Sequence, residues 1–168
     1  SPSSLALNGT ATLSTTGGAG TGAVTYAVTA GAAACSITGT TLTATAVGVC
    51  EVTATKAADA TYEAASGSFT VSVGKASQTI NFAALPGKVL GNPDFTVSAT
   101  ATSGLPVNFR TDTPLVCAVE GSRVRLVGMG SCRVIASQAG DASYGPAAEV
   151  IQSFAVAPPI TAGAGVTG

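Results

Sequence analysis

The chain has 168 residues, 46% of them hydrophobic, with 7 basic and 8 acidic side chains, a net charge of −1, no histidine and no tryptophan. Without histidine it lacks the most versatile acid–base catalyst and commonest metal ligand, and so balanced a charge gives no electrostatic reason to expect nucleic acid or an anionic membrane as partner. No run of about 18 apolar residues is present to span a bilayer, and no signal peptide opens the sequence, so it reads as a mature secreted protein or an excised fragment.

In chain order, strands are predicted over residues 10–16, 23–28, 41–46, 49–55 and 68–73. A second set follows over 79–82, 95–101, 107–110, 123–127, 132–137 and 151–156. Each alternates apolar residues with Thr or Ser, the period-two pattern of a half-buried strand. Gly, Pro, Asn and Asp clusters punctuate them at the roughly 8–12-residue spacing of a β-sandwich. Residues 56–65 are the best helical candidate and are read as a loop. The run Gly17-Gly18-Ala19-Gly20-Thr21-Gly22 leads into the strand around Tyr26. A phosphate loop must lead into a helix N-terminus, so an interstrand turn is the reading adopted.

Four cysteines stand at 35, 50, 117 and 132, each pair with the same internal spacing. That regularity predicts two intradomain disulfides, Cys35–Cys50 and Cys117–Cys132, in an oxidising compartment. Buried thiols are the main alternative. Zinc would need close CxxC-type pairs or histidines, and neither is present. The cysteine offset also aligns the two halves. Gly48-Val49-Cys50-Glu51-Val52 matches Gly130-Ser131-Cys132-Arg133-Val134, and Asp59-Ala60-Thr61-Tyr62 matches Asp141-Ala142-Ser143-Tyr144. Ser68-Phe69-Thr70-Val71 matches Ser153-Phe154-Ala155-Val156 after a three-residue insertion. The expected organisation is a first domain over 1–74, a second over 75–156 and a tail over 157–168.

A cysteine, a glycine, a TLTA-like strand, then Gly-x-Cys-x-Val and Ala-x-Tyr resemble bacterial immunoglobulin-like repeats, the likeness being carried by residues 41–55 with 58–62 and 123–136 with 140–144. The resemblance covers roughly residues 5–156 and implies an all-β chain of two tandem immunoglobulin-like sandwiches, one disulfide each, in a stalk, adhesin array or fibre. There is no core tryptophan, and the cysteines flank a hairpin-like segment, so each disulfide is expected to tie the start of one strand to a near neighbour.

The two ends are out of frame. The first strand of the second repeat has no counterpart at the same distance before Cys35, although residues 4–7 offer a partial substitute. Beyond residue 156 the tail carries Ile160, Ala162, Ala164 and Val166 in alternation with Thr161, Gly163, Gly165 and Thr167. That is a strand pattern in the place where a third repeat would begin. Two readings follow: an arbitrary cut through a longer array, or a subunit whose tail adds a strand to the next copy.

Chemistry is sparse. The eight carboxylates form no DxD-type cluster; Asp59 with Glu63 is the nearest approach to a calcium loop, and its counterpart Asp141 has Gly145 in place of the second acid. The aspartates are expected to cap turns, while Tyr62 and Tyr144 either pack at a sandwich end or present rings at loop tips to a sugar or a neighbouring subunit. Arg110, Arg123, Arg125 and Arg133 all fall in the second repeat, as a solvated face that discourages edge pairing or a docking patch for an acidic partner or glycan. Asn8-Gly9-Thr10 is an N-glycosylation sequon. The expectation is therefore an extracellular, non-enzymatic structural module with no cofactor or metal, partnered by copies of itself or adjacent repeats. The alternative is an adhesive module that recognises glycan or a surface protein through its loop tips.

Overall fold

The computed structural model describes residues 2–159, and among them every regular element is a β-strand. The chain divides into two units, Ser1–Ser77 with Asp141–Gly145, and Gln78–Gly140 with Pro146–Gly168.

Unit 1 carries β1 (Ser4–Ala6), β2 (Thr10–Thr12), β3 (Val24–Ala30), β4 (Cys35–Thr38), β5 (Thr41–Ala44), β6 (Gly48–Lys56) and β7 (Ala65–Gly74). They form a four-stranded sheet, β1-β7-β6-β3, and a three-stranded sheet, β2-β5-β4. Period-two alternation decides which side chains turn inward. On β7, Val71 and Val73 are buried while Thr70 and Ser72 face solvent; on β6, Cys50 and Val52 are buried and Val49 is exposed. Leu42 of β5, fully buried, packs with these in the core of the sandwich.

Unit 2 carries β8 (Ile80–Asn81), β9 (Lys88–Val89), β10 (Phe95–Thr96), β11 (Thr100–Ala101), β12 (Asn108–Thr111), β13 (Cys117–Glu120), β14 (Arg123–Leu126), β15 (Gly130–Ser137) and β16 (Val150–Ala157). The sheets β9-β16-β15-β12 and β10-β14-β13 repeat the plan of unit 1 strand for strand. A further two-stranded ribbon, β8 with β11, adds Ile80 to the core, followed by Phe82, whose ring centroid lies 5.4 Å from that of Phe109. Among the described residues unit 1 has no counterpart of β8.

Both units are immunoglobulin-like β-sandwiches with one disulfide each, Cys35–Cys50 and Cys117–Cys132. Each bond joins the two sheets face to face, because the cysteine of β4 or β13 lies in the three-stranded sheet and that of β6 or β15 in the four-stranded one. The expected tie between neighbouring strands is thus corrected. The hydrogen-bonding neighbour of β4 is the hairpin strand β5, so the chain must change sheets before it reaches Cys50.

Three further expectations change. Residues 4–7 do not replace a first strand: β1 runs parallel to β7, and Leu7 N–H donates to Gly74 O at 2.9 Å, as Leu90 N–H beside β9 does to Ala157 O. The strand expected over 10–16 stops at Thr12. Leu13 N–H still reaches Thr40 O, but residues 14–18 make no backbone–backbone hydrogen bond among the described residues. The strand expected over 95–101 breaks into β10 and β11, which pair with different partners.

Candidate functional site

The repeated Asp-Ala-x-Tyr builds a tight loop in each repeat. Asp59 Oδ1 accepts the N–H of Thr61 at 2.8 Å and of Tyr62 at 2.9 Å. Its Oδ2 accepts the N–H of Thr21 at 2.6 Å. The amides of Thr61, Thr21 and Tyr62 stabilise the ionised carboxyl and hold its pKa at about 2, from an ordinary 3.8. The glycine-rich run therefore presents its Thr21 amide to a protein carboxylate. Gly20, at φ 101°, passes so close that a Cβ there would meet Asp59 Oδ2 and the Tyr62 ring. Tyr62 is left half exposed at the tip.

Asp141 Oδ1 likewise accepts the N–H groups of Ser143 and Tyr144, each at 2.8 Å. Its carboxyl is lowered chiefly by the Tyr144 amide, then by that of Ser143, with a smaller contribution from the Lys75 charge. Ala76 forms a parallel bridge with Tyr144, donating to Ser143 O and accepting from Gly145 N–H, both at 2.9 Å. This places the Asp141–Gly145 loop in unit 1.

Unit 1 also holds a cleft of about 320 Å³. One side is the unpaired stretch from Ser14 to Gly18; the floor is formed by Tyr26 of β3, Ala54 of β6, and Gly67 and Phe69 of β7. Lys56 is the single charged residue in its lining, and its Nζ donates to Gly22 O at 3.0 Å. The cleft was not anticipated from sequence, where Tyr26 and Phe69 simply fall within the strands predicted over 23–28 and 68–73.

In unit 2, three of the four arginines are paired. Arg110 meets Glu149 at 2.8 Å, Arg123 meets Asp94 at 2.6 Å and Arg133 meets Asp112 at 3.1 Å; Arg125 makes no ion pair among the described residues. Arg123 and Arg125 border a shallow pocket with Asp94 and Glu120, which mixes both signs of charge. Among the described residues no three His, Cys, Asp or Glu side chains gather in a metal-holding group. The tail residues Ile160, Ala162, Ala164 and Val166 lie outside the described residues.

No protein-family model matches the chain, and no curated protein matches it. Among solved structures, Drosophila N-cadherin EC1-4 is similar with a TM-score of 0.38 and 9% identity, over 91% of this chain and 47% of that one. Human protocadherin-24 EC1-2 is similar with a TM-score of 0.37 and 16% identity, over 80% and 81% of the two chains. The C-terminal 282-residue fragment of intimin, solved with the intimin-binding domain of its translocated receptor, gives a TM-score of 0.34 and 18% identity over 80% and 51%. The chain thus spans about half of the N-cadherin and intimin fragments.

Proposed function

We propose that the chain is a non-enzymatic structural module of the extracellular surface: a fibre subunit that assembles head to tail by strand addition, or a stalk repeat of an adhesin array of the bacterial kind its motifs resemble. Two disulfides suit an oxidising compartment. The features common to both repeats, an inter-sheet disulfide, alternating cores and an aspartate-capped loop, all act within the fold. The observation that carries the assembly reading is the inequality of the units. Unit 2 has β8 in its sandwich and unit 1 has no described strand in the matching place. A sandwich with an unpaired edge invites an extended segment from another chain, and such a contact propagates when it does not close. Partners are copies of the chain or adjacent repeats. The test is light scattering and electron microscopy of the full chain beside a version lacking residues 160–168. Concentration-dependent oligomers in the first and monomers in the second are expected. Polymers that persist without the tail sink strand donation through it.

A second reading is favoured by Tyr62, a half-exposed ring on a loop pinned by three hydrogen bonds to Asp59. A rigid exposed aromatic is the kind of surface a sugar or surface protein docks on. Retention of a glycan on an array, lost with Tyr62→Ala, would support this binder; an array with no retained glycan removes its glycan form.

A further inference from the structure

We propose that the cleft of unit 1 is an acceptor site for one β-strand, and that its occupant is the segment Ile160–Val166 of a second copy, with alternate side chains turned inward; this rests on the assembly reading and names its site. Unit 2 displays the same place filled. Leu13 N–H to Thr40 O corresponds to Val97 N–H to Ser122 O, so Thr16 and Gly17 stand where Thr100 and Ala101 pair with Asn81 and Ile80. Tyr26 opposite Ala54 corresponds to Phe109 opposite Ala136. Gly67 opposite Ala54 corresponds to Val150 opposite Ala136, and Phe69 opposite Val52 to Gln152 opposite Val134.

Each of these positions in unit 2 supports the inserted strand. Phe109 meets the Phe82 ring, Ala136 and Val150 belong to the core that holds Ile80 and Phe82, and Gln152 Nε2 donates to Phe82 O at 2.8 Å. Thr102 N–H donates to Thr79 O at 2.9 Å, completing the edge. In unit 1 the same positions line the open cleft. Ala136 is fully buried while Ala54 is only partly so, as expected where the covering strand is missing.

The chemistry of the occupant follows. In β8 and its flanks Gln78, Ile80 and Phe82 are buried, while Thr79 and Asn81 are exposed. The segment Ile160, Ala162, Ala164, Val166 repeats that alternation with Thr and Gly between. The four residues proposed to turn inward are all smaller than Phe82, and the cleft is fuller at the facing position, where Phe69 replaces Gln152. The segment has no charged side chain, so its burial strands no charge of its own in the cleft. Backbone groups of residues 14–18, which make no backbone–backbone hydrogen bond among the described residues, supply the ladder.

Two labelled peptides test this against the full chain held dilute: residues 159–168 as the proposed donor and residues 76–85 as the strand unit 2 uses. Anisotropy reads affinity, and NMR reads the signals of Tyr26, Ala54 and Gly67. Gly67→Arg is the blocking variant. A Cβ at Gly67 meets nothing within 4 Å, and its φ lies outside the positive range, so the fold tolerates substitution there. Gly67→Ala is the matched control. Saturable binding of 159–168 with shifts at the three cleft residues, at least about tenfold weaker in Gly67→Arg and retained in Gly67→Ala, is expected. Binding of 76–85 alone overturns the tail as occupant, and binding of neither overturns the acceptor site. If 159–168 binds in the cleft but the full chain stays monomeric at high concentration, the site stands and the fibre reading falls. If polymers form unchanged in Gly67→Arg, the fibre stands and this proposal falls.

Discussion

Replacing both Cys35 and Cys50 with Ala removes the disulfide that cross-links the sheets of unit 1. The residues are separated by 15 positions, with Cα atoms 6.2 Å apart and both side chains 1% exposed. Releasing a closed loop of about 15 residues returns enough entropy to the unfolded chain to cost ~3 kcal/mol. Truncating two buried sulfurs leaves small voids on the order of 1 kcal/mol each, so the expected loss is about 5 kcal/mol. A chain of unit 1's size typically has a stability of roughly 4–12 kcal/mol in all, so the double variant is predicted to lose about half of it or more. Hydrogen exchange of the β6 amides around Val52, followed by mass spectrometry, reads this locally, with calorimetry as the global measure. The spacing in unit 2 is identical, so Cys117→Ala with Cys132→Ala should cost a similar amount at the β15 amides around Val134. A loss below about 1 kcal/mol at both bonds would refute the loop-closure reasoning.

Two other outcomes follow. Leu42→Ala empties a fully buried position and should cost about 2–5 kcal/mol in denaturant unfolding, whereas Leu115→Ala, at a residue 85% exposed, should stay within ~0.5 kcal/mol. The pH dependence of the Asp59 loop has a defined sign. Its carboxyl titrates at about 2 in the folded state against an ordinary 3.8, so its stabilisation is complete above the higher value and is lost as pH falls through the lower one. Amide protection at Thr21, Thr61 and Tyr62 should therefore hold from pH 7 to 4 and fall toward pH 2, and Asp59→Asn should weaken it at neutral pH. Unchanged protection in Asp59→Asn sinks the role given to the charge.

The sandwich class was legible because its cues are local. Alternation in residues 49–55 or 151–156 needs only neighbours in sequence, and the cysteine spacing marks the repeat by itself. What escaped depends on partners far along the chain. Lys88–Val89 and Ser4–Ala6 are too short to show a period, and only their parallel neighbours make them strands. Residues 14–16 carry a plausible strand composition but have no described partner to pair with. The Asp59 turn was foreseeable from Asp-Ala-Thr-Tyr, but the Thr21 amide that completes its cradle is 38 positions away. The cleft was hidden for the same reason. Tyr26 and Phe69 have the alternation of core residues, and only comparison with the filled place under Ile80 and Phe82 reveals what is missing above them.

Photo-cross-linking from position 67 reads whether unit 1 takes a strand from another copy. Full-length chain carrying a photoreactive phenylalanine analogue in place of Gly67 is mixed with an isotopically labelled copy, irradiated, and digested for mass spectrometry. Strand donation predicts mixed-isotope cross-links between position 67 and residues 160–166 of the other copy. Cross-links confined to the same copy, or to any other segment of the partner, would contradict it.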